Sequence, residues 1–328
     1  KKLVDEIKKA AEGGKNTFTV RPGNYHFGDS KDTWIIAGVT NMVVDAAGAT
    51  FWFEAPSGFG ILASRRVTVK GVTIDYYPLC FSQGKIAEFH GDMKQVDVLI
   101  DPGFPEVGTN WLRGFIVKAI YFNGQGHIIP SVQDWAASSE KIGERTYRVK
   151  LREAYLYKYR QDGAEIHIGD SLAFGRRYGH AVKVLNGADI TLEDITIHAA
   201  PSMAVLEAGG EGGNQYRRIK VIRRPETGRL LASVADLFHS LSVKRGPLVE
   251  DCEFSHSGDD GVNIRGFLQL VLNKTGNREI LVLNRGYDKP YKKENPAPFA
   301  EGTVFSFYDP ATLAFIGTDG FSLEKGLT

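Results

Sequence analysis

The chain opens with one helical pattern and then changes to short strands. Leu3, Val4, Ile7, Ala10 and Ala11 recur at helical spacing between lysines and glutamates, which predicts one short amphipathic helix. Gly13 and Gly14 end it. Phe18 and Val20, a turn at Pro22-Gly23-Asn24, and then Tyr25 and Phe27 predict strands behind it. Further on, Val67 to Ile74, Ile190 to Ile197 and Pro247 to Phe254 share one pattern. Each places its apolar residues at positions three, six and eight, around a Gly or Asp corner. Arg218 to Val221 repeats the second half of that pattern, as in Asp194 to Ile197. Ile195 to Ile219 is 24 residues and Ile219 to Cys252 is 33, periods that suit one β-coil with a loop inserted. Stacked coils bring their strands into parallel register, ~4.8 Å apart.

These patterns predict an all-β chain. The helix, the Gly pair and the turn that follow one another at the start resemble the cap of right-handed parallel β-helix proteins, where a helix covers the otherwise exposed apolar end. The expected fold is a right-handed parallel β-helix with a short N-terminal capping helix and inserted antiparallel β-barrel-like modules. Residues 1–75 form the cap and first coils. Residues 76–180 break the repeat with alternating runs such as Val96 to Ile100, Phe115 to Val117 and Tyr147 to Leu151, which predicts an inserted antiparallel module. Residues 181–266 return to coils. Residues 267–328 predict a second β-module, with Leu268 to Leu272, a turn around Gly276-Asn277, and Ile280 to Leu283. No closing coils follow. An open coil end exposes unpaired strand edges, so the expectation is a truncated chain or a partner over that end, a homo-oligomer included.

Composition removes several function classes. The chain has 328 residues with 40 Lys+Arg against 39 Asp+Glu, a formal net charge of +1, and this balance argues against nucleic acid as a partner. A hydrophobic fraction of 42% excludes disorder as the main state. No run reaches the ~18–20 apolar residues of a membrane span. The 37 glycines point to many tight turns. Whether Cys80 and Cys252 pair is left open by the sequence. A start at Lys1 without a leader fits a cleaved signal peptide and a trimmed chain alike, and the expected location is secreted or periplasmic.

The chemistry concentrates in one stretch. Asp236 lies one period, 24 residues, before Asp260, so it falls one rung from the Asp259-Asp260 pair. Rung spacing then puts three carboxyls within ~5–10 Å of one another. Neighbouring carboxyls raise one another's pKa, and one protonated carboxyl beside ionised ones is what a glycosidase needs. Successive strand residues face opposite ways, so a bend at Gly258 or Gly261 is expected to let both side chains converge. A Ca²⁺ site on the same carboxylates is the alternative, since hard cations favour such oxygens. Asp194 and Asp251 read as corner residues, and Cys252 as a small core residue in the place of Ile195. Trp34, Trp52, Trp111 and Trp135 read as core or as sugar-stacking rings.

The run from Ala235 to Ser240 and from Arg245 to Ile264 resembles glycoside hydrolase family 110, the α-1,3-galactosidases. Lys220 to Pro225 and Arg229 to Leu231 match that family's approach to its first Asp. The resemblance implies a right-handed β-helix, inversion at the anomeric carbon, no metal or other cofactor, and a glycan with terminal α-galactose as partner. It implies Asp259 as general acid, with Asp236 and Asp260 activating the water. Glu207, His239, Arg245 and Asn263 are candidate hydroxyl contacts on the same or adjoining coils. Two other classes stay open: a Ca²⁺-dependent polysaccharide lyase, for which Arg245 is the evident base, and a non-catalytic glycan-binding β-helix.

Overall fold

Three short strands per turn, one on each of three sheets, repeat along residues 17–265 of the computed structural model. The structure describes residues 2–28, 34–91, 94–108, 117–152, 165–266, 270–276, 279–282, 304–309, 311–312 and 314–320. The helix Lys2–Glu12 comes first and buries Val4 and Ile7. A representative coil runs from Phe59–Leu62 on the third sheet, through Arg65–Lys70 on the first, to Thr73–Tyr76 on the second. Each sheet holds six strands, and the pairs within it are parallel. This topology is compatible with a parallel β-helix.

The register explains the sequence pattern. Val69, Leu192, Tyr216 and Val249 stack on the first sheet, and Ile74, Ile197, Val221 and Phe254 on the second. Phe51, Ile74, Ile197 and Val221 are fully buried, each worth about 1.5–3 kcal/mol. The corner between these two sheets is left-handed in the last four coils: Gly71 at φ 79°, Asp194 at 53°, Arg218 at 52° and Asp251 at 54°. Cys252 takes the rung position of Ile195 and Ile219, and its thiol is free, as is that of Cys80.

The coils are interrupted after Tyr76. Strands Phe81–His90, Gln95–Ile100, Val117–Phe122, Ile128–Gly143, Thr146–Leu151 and Ser171–Arg176 close into an antiparallel six-stranded barrel. Its strand Val117–Phe122 is buried on both faces. Val117, Ala119 and Tyr121 fill the barrel, whereas Ile120 and Phe122 join the core of the coils. Lys118, two and four residues before them, shares their face and is therefore buried on the side of the coils. Phe115 and Ile116 of the expected strand lie outside the described residues.

Residues from Gly266 on form a separate unit. Its described residues make two antiparallel hairpins, Val271–Gly276 with Glu279–Val282 and Val304–Tyr308 with Phe315–Gly320. Leu268, Gln269, Asn277 and Leu283 of the expected strands and turn lie outside the described residues.

Candidate active site

The three carboxyls meet. Phe238 pairs with Val262, which sets Asp236 across from Asp260 on the next rung, and the Leu237 amide donates to the Asp260 carbonyl at 3.0 Å. One oxygen from each of Asp236, Asp259 and Asp260 lies within 4.8 Å of the others. Residues 258–260 make a bend before the strand Val262–Arg265 begins, so the alternation of a regular strand does not apply to them. Gly258 is required there by close approach. A Cβ on it would stand 2.4 Å from the Val234 carbonyl oxygen and 2.8 Å from Ile120 of the barrel.

Each carboxylate has its own partners. Asp236 is buried, and the Nδ1–H of buried His239 donates to its Oδ2 at 2.6 Å. Arg265 Nε donates to His239 Nε2 at 3.3 Å, so the ring carries its proton on Nδ1 and its lone pair on Nε2. Asn263 Nδ2 donates to Asp260 Oδ2 at 2.8 Å. Asp259 faces two cations: Lys118 Nζ at 3.0 Å and Arg177 at 3.3 Å from Oδ2. Lys118 also donates to the Gly258 carbonyl. Burial holds its ammonium below the ordinary lysine range, with Asp259 acting in the opposite sense.

Of the seven residues singled out from sequence, five are gathered here: Asp236, His239, Asp259, Asp260 and Asn263. Glu207 is not. It is fully buried inside the coil, where its carboxylate accepts from Tyr216 Oη at 2.5 Å and Ser240 Oγ at 3.0 Å. The register gives the reason: Glu207 occupies the inward position that Ile61 and Val184 hold on the rungs below. Arg245 is also elsewhere. It lies in the turn after the strand Phe238–Leu241, whereas the carboxyls lie in the turns before the third-sheet strands. There it donates to Asp189 at 2.7 Å and to the Gly212 carbonyl at 3.1 Å.

Lys118 and Arg177 were missed because both come from the barrel and its exit, far from the carboxyls in sequence. A signal existed. A lysine inside the otherwise apolar run Val117 to Phe122 has no wet face, so it needs a buried partner. Trp52 does not enter the cluster. Trp52 stacks on His26 and lies under the Arg224 guanidinium, on the second sheet. Trp111 lies outside the described residues.

Known proteins resemble this chain in part. A stretch of 91 residues, 28% of the chain, is 31% identical to alpha-1,3-galactosidase A of Bacteroides fragilis strains ATCC 25285 and YCH46. That stretch spans only 15% of those relatives' length. The crystal structure of a "putative glycosyl hydrolase" from Parabacteroides merdae aligns over 81% of this chain and 86% of its own, with a TM-score of 0.35 and 8% identity. No family model matches. Among the described residues, no helix is long and apolar enough to cross a membrane.

Proposed function

We propose that this chain carries the catalytic region of an exo-acting glycoside hydrolase, on a right-handed parallel β-helix, that releases terminal α-1,3-linked galactose with inversion. The convergence of Asp236, Asp259 and Asp260 carries the reading, and the partial likeness to alpha-1,3-galactosidase supports it. Asp259 protonates the glycosidic oxygen. Asp236 and Asp260 orient the attacking water and take its proton. His239 holds the Asp236 carboxylate in place. Asn263, already bonded to Asp260, is the hydroxyl contact nearest the reacting carbon.

Two features set requirements on this scheme. Lys118 and Arg177 suit an ionised Asp259, so its acid role requires that substrate entry part it from at least one of them. The oxygens within 4.8 Å are nearer the ~5–5.5 Å separation of retaining enzymes than the ~6.5–9.5 Å of inverting ones. Inversion therefore rests on the family resemblance, and NMR of the first anomer released from an α-1,3-galactoside decides it. Asp259→Asn, Asp236→Asn and Asp260→Asn are each expected to lower kcat by about 10²–10⁴. A dinitrophenyl leaving group, which needs no proton, restores turnover only in the variant that lacks the acid. Rescue in Asp236→Asn instead of Asp259→Asn would exchange the two roles, and wild-type rates in all three would sink the reading.

One observation favours a second reading. A lysine whose ammonium burial disfavours, beside three clustered carboxylates, is the equipment of a Ca²⁺-dependent lyase, with Lys118 in place of Arg245 as base. That reading requires a cation to compete with Lys118 and Arg177 for Asp259. It predicts an ultraviolet-absorbing unsaturated product and loss of activity with chelator.

A further inference from the structure

The outer face of the third sheet continues below the carboxyls, and its chemistry changes sign. Lys183 pairs in register with Leu206, and Leu206 with His239, so Lys183 stands two rungs, ~10 Å, from the ring that holds Asp236. It alternates with the buried Val182 and Val184 and so faces outward. Among the described residues, no carboxylate pairs with it, and burial alone holds its ammonium below the ordinary lysine range. His180 lies three residues earlier. Its Nδ1 is buried without a hydrogen-bond partner. The cations acting on its ring are Lys183 and Arg177. Leu206, half-buried between Lys183 and His239, offers an apolar floor of the kind a sugar ring covers.

A half-buried ammonium with no counter-charge, three residues from an unpartnered imidazole nitrogen, is costly unless something occupies it. A solvated lysine would explain the ammonium alone. It does not explain the orphaned His180 nitrogen three residues away, or the placing of both on a coil two rungs from the carboxyls.

The geometry points to an anion subsite formed by Lys183 and His180, which binds a sulfate ester or carboxylate on the sugar next to the galactose being released. This inference rests on the glycosidase reading and adds its substrate class: an acidic α-galactoside. Lying two rungs, ~10 Å, from the ring that holds Asp236, the anion belongs to the aglycone side and not to the terminal galactose.

Binding tests it. Three probes are titrated calorimetrically into Asp260→Asn, in which turnover is slowed by about 10²–10⁴: α-1,3-galactobiose, the same disaccharide sulfated on its reducing-side galactose, and an α-galactoside with a reducing-side uronate. At about 20 mM salt one acidic probe is expected to bind about tenfold tighter than the neutral one, and whichever does so identifies the anion. The preference should fall towards one at about 0.5 M salt. Lys183→Met and Lys183→Gln should abolish it, and Lys183→Arg should keep it. No acidic preference, or a preference that survives in a folded Lys183→Met or Lys183→Gln variant, overturns the subsite. Turnover of α-1,3-galactobiose by the unaltered chain is measured separately. Failure to release galactose sinks the hydrolase and leaves the titrations to decide the subsite.

Discussion

His180 makes folding stability depend on acidity in a way that can be isolated. Burial, with Lys183, Arg177 and His239 close by, brings its pKa down from 6.5 to about 4. The unfolded chain therefore takes up a proton before the folded one does. Above pH 6.5 the neutral ring is present in both states and its contribution to stability is whole. As pH falls from 6.5 towards 4 the unfolded state gains protons that the folded state refuses, and stability declines; below 4 the loss is complete. The full displacement is worth about 3 kcal/mol, of which about 2 kcal/mol is already lost at pH 5. Urea unfolding at pH 8, 6 and 5 of the unaltered chain and of His180→Gln measures it. His198 and His256 are also held low by burial, and so add the same sign to both proteins and cancel in the difference. The unaltered chain should lose about 2 kcal/mol more than His180→Gln between pH 8 and pH 5. Equal slopes for the two would refute the reasoning, because they would mean that the ring takes its proton as easily folded as unfolded.

Other residues give sharper structural tests. Asp75 is fully buried between Arg224 and Arg229, each at 2.8 Å. Arg229→Met leaves Arg224 in place, so the expected loss is about 2–3 kcal/mol, below the about 3–5 kcal/mol of a wholly stranded buried charge, read as a lowered urea midpoint. Glu207→Ala orphans the hydroxyls of Tyr216 and Ser240 and should cost about 2–4 kcal/mol, whereas Glu207→Gln should recover part of that; a stable Glu207→Ala with impaired sugar binding would put the residue back in the cleft. Arg245→Ala should leave kcat/KM for an α-galactoside within about twofold of the parent, because its guanidinium is bonded to Asp189 and Gly212 away from the carboxyls.

What was legible in the sequence follows from what repeats. The coil positions on the first and second sheets carry one apolar residue per rung, so Leu192, Tyr216 and Val249, or Ile197, Val221 and Phe254, announce their register directly. The same period places Asp236 against Asp260, which is why the carboxyl cluster could be foreseen. The third sheet breaks the rule, since its inward column runs Ile61, Val184, Glu207, Ser240. A carboxylate in that column looks like a cleft residue unless Val205 to Ala208 is aligned on Val182 to Leu185, a step that turns Glu207 inward and Leu206 outward. How the barrel meets the coils is illegible for a different reason. Its strands meet the coils through contacts more than a hundred residues apart, such as Lys118 with Gly258 and Asp259, and no local period records such a meeting. Only chemical incongruity marks it: a cation where the pattern calls for an apolar side chain. Glu207 and Lys118 are the same kind of exception, each a charge at a position the pattern reserves for carbon. They differ in what answers the charge. Two hydroxyls inside one coil complete Glu207 and leave it structural. Lys118 is answered by a carboxylate of the cluster itself, so the inserted barrel is part of the site and not an ornament on the coils.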